Sequence, residues 1–274
     1  MVTDLETSKK FSNSWNNVYN PSVYTYEQVT EWISPWNVSE LEGQSILELG
    51  CGSGAILYHL QNISSIRLSG IDLGSSVTTA RKLLHEDVNI IQADLTDHKK
   101  VLSLLGKFDR CYCIGVLHHL SEPQKGFESL LKLTKPGGYF HAWVYAYEGN
   151  WVVRIFVEPL RIIVNQLPWW INKFFIALPL SIPFYFYGKL CSLLKKFGFS
   201  NLHIPLFDYM LWISKRDFRF HHHVAFDQLV TPTTHYIKRG RIEKWLEHPQ
   251  IDPNSIYIKF RNGNGWKFGG RIKN

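Results

Sequence analysis

The residues best suited to chemistry start at Glu48. The run Ile46-Leu47-Glu48-Leu49-Gly50-Cys51-Gly52-Ser53-Gly54-Ala55 passes from apolar residues through one carboxylate to three alternating glycines. It predicts a buried parallel strand, a tight turn and a helix beginning near Ile56. Glycine serves where the backbone takes positive φ or a ligand must touch the main chain. A helix N-terminus at that point offers free N–H groups to a polar or anionic ligand. Two further acids close apolar runs in the same way, Asp72 after 66–71 and Asp94 after 88–93. Three carboxylates at the ends of three successive strands suit a ligand with an ammonium group, a ribose diol and an adenine amine. Gly50, Gly52 and Ala55 also satisfy the dinucleotide pattern G-x-G-x-x-A, so a NAD(P)-dependent oxidoreductase stays open as the alternative.

The surrounding elements must place these acids on one rim. Helices are expected at 55–61, 75–86, 99–105 and 123–133, alternating with strands at 66–72, 88–93, 108–114 and 139–145. Lys135-Pro136-Gly137-Gly138 reads as a turn ahead of the last of these strands. The alternation predicts an α/β fold, a Rossmann-like doubly wound sheet with right-handed crossovers. It breaks at 148–234, which is rich in aromatics, prolines and long aliphatics and reads as a mostly helical insertion after the fifth strand. A delayed helix at 239–247 and strands at 255–261 and 265–272 follow, joined by the hairpin signal Asn262-Gly263-Asn264-Gly265. Ahead of the first strand lies an aromatic stretch, Phe11, Trp15, Tyr19, Tyr24, Tyr26, Trp32 and Trp36, with a helix at 27–33. That stretch is either a lid over the ligand or a cover for one sheet face. Residues 1–10 are polar and expected to be disordered.

These motifs resemble those of the class I S-adenosylmethionine-dependent methyltransferases. LELGCGSG is similar to the first motif of that family, GIDLGSS to the second and QADL to the third. FDRCYCIGVLHHLSEP is similar to the fourth and its loop, and KPGGYFHAWVY to the fifth. The resemblance spans about 45–147 and resumes near 235–274. It implies seven strands in the order 3-2-1-4-5-7-6 with strand 7 antiparallel. It implies S-adenosylmethionine as cofactor and S-adenosylhomocysteine as product, with no metal. Glu48, Gly50, Cys51, Gly52 and Gly54 would hold the methionine part. Asp72 with Leu73 would take the ribose hydroxyls, Asp94 with Leu95 the adenine, and Ile114 would line the same site. The implied division is an N-terminal lid at 1–44, the cofactor-binding core at 45–147, a substrate cap at 148–234, and a closing helix and hairpin at 235–274. The chain also resembles a group of bacterial methyltransferase-domain proteins through VYAYEGN, Glu158-Pro159-Leu160-Arg161, Phe226 to Pro232, His235-Tyr236, Trp245 and Arg261 to Trp266. That likeness bears on architecture and not on substrate.

Methyl transfer from a sulfonium needs alignment and exclusion of water, and an oxygen acceptor gains further from a base. His118 and His119 follow the fourth strand, with His119 the first choice because His118 is expected to face the sheet. The alternative is that one histidine only orients the loop. His235 with Asp227 forms the second base and orienting pair, and an interdomain hydrogen bond is its bland counterpart. Tyr145 and Tyr147 are placed to hydrogen-bond an acceptor. His221, His222 and His223 lack a cysteine or carboxylate partner at ligand spacing, so no metal is expected.

The net charge of the 274 residues is +7, with a pI near 9.1. Such a charge permits nucleic acid, anionic lipid or acidic partners without choosing among them. The fourth strand ends without the Asp/Asn-Pro-Pro-Tyr/Phe run of enzymes that methylate exocyclic base amines, and no Pro-Cys nucleophile for cytosine is present. A small-molecule substrate is therefore expected, and no nucleic acid. Cys51, Cys111, Cys113 and Cys191 lack zinc spacing and read as thiols of a reducing compartment. With a polar N-terminus lacking an apolar signal core, a cytoplasmic location is expected. The segment 167–187 is the most apolar, yet Asn172, Lys173, Pro179 and Pro183 interrupt it, which argues against a membrane span. Three readings remain for it: the core of a cap, the lining of a hydrophobic acceptor's pocket, or peripheral membrane contact through Lys189, Lys195 and Lys196. The expected activity is methylation of a small, fairly hydrophobic metabolite, at oxygen first. A non-catalytic cofactor-binding protein is the competing class.

Overall fold

A computed structural model describes residues 3–18, 24–199, 204–231 and 234–274, without the side chains of 13–18. The Trp15 side chain, Tyr19 and Pro232 of the expectations above therefore lie outside what is described. Five apolar runs form the parallel strands. They are β1 (Ser45–Leu49), β2 (Arg67–Asp72), β3 (Asn89–Gln92), β4 (Phe108–Ile114) and β5 (Thr134–Tyr145). All five residues of β1 are buried, as expected of a strand covered on both faces. With β6 (Tyr257–Arg261) and β7 (Gly265–Arg271) they make one sheet in the order β3-β2-β1-β4-β5-β7-β6. β7 runs against β5: Gly137 N and Ile272 N donate to the Ile272 and Gly138 carbonyls at one end, and Ala146 N to the Asn264 carbonyl at the other. In the connecting hairpin Asn262 and Gly263 take φ of 50° and 65°, the left-handed pair that Asn-Gly favours.

The expected turn at 135–138 lies inside β5. Phe108 pairs with Thr134 and Arg110 with Tyr139, so the Lys-Pro-Gly-Gly stretch is looped out as a bulge. Lys135 is held there by an ion pair of 2.8 Å with Asp109. Burial raises the Asp109 carboxyl, but bonds from Lys135 and Ser45 outweigh it and set it at about 2.

Two compact units divide the chain. The first comprises Met1–Tyr145, Thr233–Lys259 and Trp266–Asn274, and the second Ala146–Pro232 and Phe260–Gly265. In the first, the polar N-terminus expected to be disordered is a helix, α1 (Asp4–Val18). Thr3 N donates to Glu6 Oε2 at 2.9 Å and Glu6 N to Thr3 Oγ1 at 3.3 Å. This reciprocal box satisfies first-turn donors and starts a helix that composition alone disfavours. Helix α2 (Tyr26–Ile33) covers the sheet: Val29 and Ile33 are fully buried in a cluster with Ile46, Leu57 and Tyr112. His141 Nε2 of β5 donates to the Trp32 carbonyl at 2.9 Å, leaving Nδ1 to accept from the Tyr257 hydroxyl. Helices α3 (Ala55–Leu60), α4 (Val77–Leu83), α5 (His98–Leu105) and α6 (Pro123–Leu133) follow β1 to β4 in turn.

The second unit contains α7 (Glu158–Val164), α8 (Trp169–Ile171), α9 (Leu178–Lys196), α10 (Phe207–Ile213) and α11 (Phe218–Val230). Asn172, Lys173, Pro179 and Pro183 all fall within one long helical stretch, Trp169–Lys196. Asn172–Ala177 forms a wider π-type turn between α8 and α9. That wider turn makes room for the Pro179 ring. Back in the first unit, α12 (Arg239–Leu246) sends Trp245 to stack on Phe127 of α6, ring centroids 5.2 Å apart.

Candidate active site

Because β1 to β5 run parallel, their carboxyl ends share one rim of the sheet. Glu48 stands in register with Gly70 of β2 and Tyr112 of β4. It is 3% exposed, and the Tyr112 hydroxyl donates to its Oε2 at 3.1 Å. Burial is the main force on the Glu48 carboxyl. It and the nearby Asp72 charge outweigh the Tyr112 bond and raise the group to about 8. At neutral pH Glu48 therefore holds a proton.

Asp72 ties the two glycine loops together. Gly52 N donates to its Oδ2 at 3.0 Å and Gly74 N to its Oδ1 at 2.7 Å, with the Ser76 hydroxyl at 3.5 Å. Burial pushes this carboxyl upward, against the pull of those N–H bonds. Gly54 precedes α3 in a left-handed conformation, φ 81°, and a side chain there would run into Leu84 at 2.8 Å. Gly50 is closed off by Val116, whereas nothing lies within 4 Å of where a Cβ on Gly52 would sit. The loop thus faces open space at Gly52. Cys51 turns its thiol inward against Gly70, and its N–H donates to the Ile71 carbonyl at 2.9 Å. Burial raises the thiol far above its ordinary value, so Cys51 presents neither thiolate nor a spare donor.

Asp94 follows Ala93, whose N–H donates to the Asp72 carbonyl at 3.0 Å. Its Oδ1 accepts from Thr96 N and Oγ1 at 2.8 and 2.7 Å. Leu95 is buried, Leu73 gives its carbonyl to Gln92 Nε2 at 3.0 Å, and Ile114 ends β4 opposite Trp143.

The α1 helix reaches the loops after β2 and β4. Asp4 accepts from Ser121 N at 2.6 Å and from its hydroxyl at 3.0 Å. The Phe11 ring lies 5.1 Å from that of His119. Ser12 Oγ accepts from Ser76 N at 3.4 Å, and Ser8 Oγ lies 2.7 Å from where a Cβ on Gly74 would be. The Thr7 and Ser8 hydroxyls are buried without a hydrogen-bond partner among the described residues. The sequence expectations missed these groups and Tyr112. Thr3-x-x-Glu6 signals the helix, and alternation along β4 puts Tyr112 on the face of Glu48.

The histidines and Tyr145 gather at the ends of β4 and β5. His118 is fully buried, with its ring centroid 4.1 Å from both His119 and Tyr145. His119 is half-buried and its Nδ1 lies 3.4 Å from Thr234 Oγ1. His235 N donates to the His118 carbonyl at 2.7 Å and Ile237 N to that of Tyr145 at 2.9 Å. Asp227 belongs to the second unit. There burial raises its carboxyl to about 6 against the charge of Arg161, which itself donates to the Gln228 carbonyl at 2.7 Å. Tyr147, in the same unit, has Arg154 3.5 Å above its ring. His221, His222 and His223 lie on helix α11, which Asp217 starts by capping Phe220 N at 2.9 Å. His221 Nδ1 pairs with the Asp217 carbonyl at 2.8 Å and His222 Nε2 with that of Lys173 at 3.0 Å. Among the described residues no group of three His, Cys, Asp or Glu is arranged to hold a metal ion.

Sheet order and glycine loops define a Rossmann-like fold of the methyltransferase type. Residues 47–142 match the model of the Methyltransferase domain, and this stretch is a class I S-adenosylmethionine-dependent methyltransferase domain. An uncharacterised protein of Synechococcus is 31% identical over 128 residues, covering 44% of this chain and 30% of its own length. A ubiquinone biosynthesis O-methyltransferase of Erwinia tasmaniensis is 27% identical over 128 residues, 46% of this chain and 52% of that protein. A tRNA U34 carboxymethyltransferase of Campylobacter curvus is 29% identical over 101 residues, 36% and 33% of the two chains. The chain thus spans about half the length, or less, of these curated relatives. In fold it is similar to a Thermotoga maritima S-adenosylmethionine-dependent methyltransferase, a possible histamine N-methyltransferase. The TM-score is 0.52 at 10% identity, covering 97% of this chain and 99% of that one.

Proposed function

We propose that this chain transfers a methyl group from S-adenosylmethionine to a small, fairly hydrophobic acceptor, at oxygen, and releases S-adenosylhomocysteine. The observation that carries the proposal is the acid pair on the sheet rim. Glu48 is buried with its proton kept on, and Asp72 anchors both glycine loops beside it. A buried carboxyl poised in this way gives up its proton when an ammonium is brought against it. The open side of Gly52 and the unpartnered Thr7 and Ser8 hydroxyls also fit a polar ligand at this rim.

When bound, the cofactor supplies an electrophilic methyl on a sulfonium. Glu48 pairs with the ammonium of its methionine part, Asp72 accepts from the ribose hydroxyls, and Asp94 with Leu95 receives the adenine. Helix α1, held by Asp4 on Ser121, covers the rim and keeps water out. His119 takes the proton of the acceptor hydroxyl at its ring nitrogen, with Tyr145 and His235 positioning the acceptor and the loop. Alignment supplies most of the acceleration, and the base adds about 10²–10⁴-fold.

Calorimetric titration tests the cofactor assignment: S-adenosylhomocysteine binds the wild type, and Asp72→Ala abolishes binding. Binding of a nicotinamide dinucleotide instead overturns it. An acceptor screen that finds methyl transfer to tRNA and to no small molecule overturns the acceptor class.

A further inference from the structure

The second unit carries a helix with its sides exchanged. Between Trp169 and Lys196 the backbone is helical for 28 residues, about 42 Å at 1.5 Å per residue, and an 18-residue stretch of it has a mean hydropathy of 1.4. A surface helix normally buries its large apolar residues and shows its small and polar ones. Here the buried stripe is Asn172, Ala177, Ser181, Gly188 and Cys191. The large residues face outward: Phe175, Phe186 and Phe197 are 65–69% exposed, and Ile163 of α7 is 68% exposed. A contiguous apolar face of this kind marks an interaction surface.

The charge around that face selects the partner. From Pro159 to Phe207 there is no aspartate or glutamate; Arg161 is buried, and the other charged residues are Lys173, Lys189, Lys195 and Lys196. Lys195 and Lys196 stand in the last turn of α9, and Trp169 and Trp170 begin the helix at the other end. A protein partner would have no reason to exclude one sign of charge over 49 consecutive residues, whereas an anionic bilayer surface does. Aromatics and lysines flanking an apolar face are the composition of a helix lying in the headgroup region. One side of the helix is fastened to protein, which suits lying in an interface and not crossing it. Tyr187 Oη donates to the Pro205 carbonyl at 2.7 Å and Lys189 Nζ to that of Ser214 at 2.7 Å.

We propose that this face seats the protein on anionic membranes, with Phe175, Phe186 and Phe197 entering the acyl boundary and Lys195 and Lys196 meeting lipid phosphates. The proposal is independent of the methyl-transfer reading. Flotation of the full chain with phosphatidylcholine–phosphatidylglycerol vesicles, against pure phosphatidylcholine vesicles, tests it. The wild type floats with the mixed vesicles and more weakly with the neutral ones. Lys195→Glu with Lys196→Glu weakens binding to the mixed vesicles by at least about fivefold per lysine. Phe175→Ser with Phe186→Ser abolishes flotation on both, while circular dichroism and the melting temperature stay at wild-type values because both rings are exposed. No flotation of the wild type overturns the proposal, as does flotation insensitive to both pairs. A lipid-free oligomer in light scattering that depends on Phe175 and Phe186, without vesicle binding, assigns the face to a second copy and overturns it too.

Discussion

Glu48→Gln isolates the one group whose proton the binding reading requires. In the folded chain without ligand the Glu48 carboxyl lies at about 8, against an ordinary 4.5. A carboxyl raised on folding binds protons more tightly in the folded state. Its contribution is therefore favourable below pH 4.5 and is lost as pH climbs towards 8. At about 1.36 kcal/mol per unit, the loss between pH 4.5 and 7 is about 3 kcal/mol. Glutamine cannot ionise, so the ligand-free variant should match the wild type near pH 4.5 and exceed it in stability at neutral pH. Binding reverses the sign, because an ammonium beside Glu48 requires the carboxylate. Wild-type affinity for S-adenosylhomocysteine should then rise about tenfold per pH unit from 6 towards 8, and at pH 7 binding should release about 0.9 proton. Calorimetry in buffers of different ionisation enthalpy reads that proton directly. The variant should release none and bind weakly at every pH. Equal proton release by the two proteins, or a flat wild-type affinity between pH 6 and 8, refutes the ammonium–Glu48 pairing.

Tyr112→Phe removes the one hydrogen bond that lowers the Glu48 carboxyl. The affinity rise should move to higher pH, and stability should fall by about 1–3 kcal/mol for the buried oxygen left unpaired; the pH series and urea melts measure the two effects. Gly54→Ala forces a left-handed residue to carry a side chain against Leu84 at 2.8 Å and Ala80 at 3.2 Å, and should cost about 1–3 kcal/mol in urea denaturation. His119→Ala should leave S-adenosylhomocysteine affinity unchanged and lower turnover by about 10²–10⁴-fold; unchanged turnover in a methyl-transfer assay removes His119 from the mechanism.

What could be read from residue order alone follows from how local each cause is. The parallel strands were legible because β1 is apolar but for Ser45 and Glu48 and the first four runs each end on a carboxylate or a glycine, a signal contained within a few residues. The positions of Glu48 and Asp72 followed from that, since parallel strands carry their ends to one rim. α1 was hidden because its start depends on a reciprocal pair, Thr3 with Glu6, while its composition speaks for disorder. The bulge at 135–138 was read as a turn because its glycines look the same in either setting. Only the pairing of Phe108 with Thr134 shows that the strand has already begun. The wider turn at Asn172–Ala177, just ahead of Pro179, has no signature in composition. The protonated state of Glu48 was the least accessible of all. A carboxylate at the end of a strand reads as charged. Its proton is a product of three-dimensional burial and of Asp72, which stands 24 positions away in the chain yet acts on it through space. Chemistry written into residue types is thus visible in the sequence. Chemistry set by what surrounds them needs the fold, and the pH dependence of cofactor binding is where that difference can be measured.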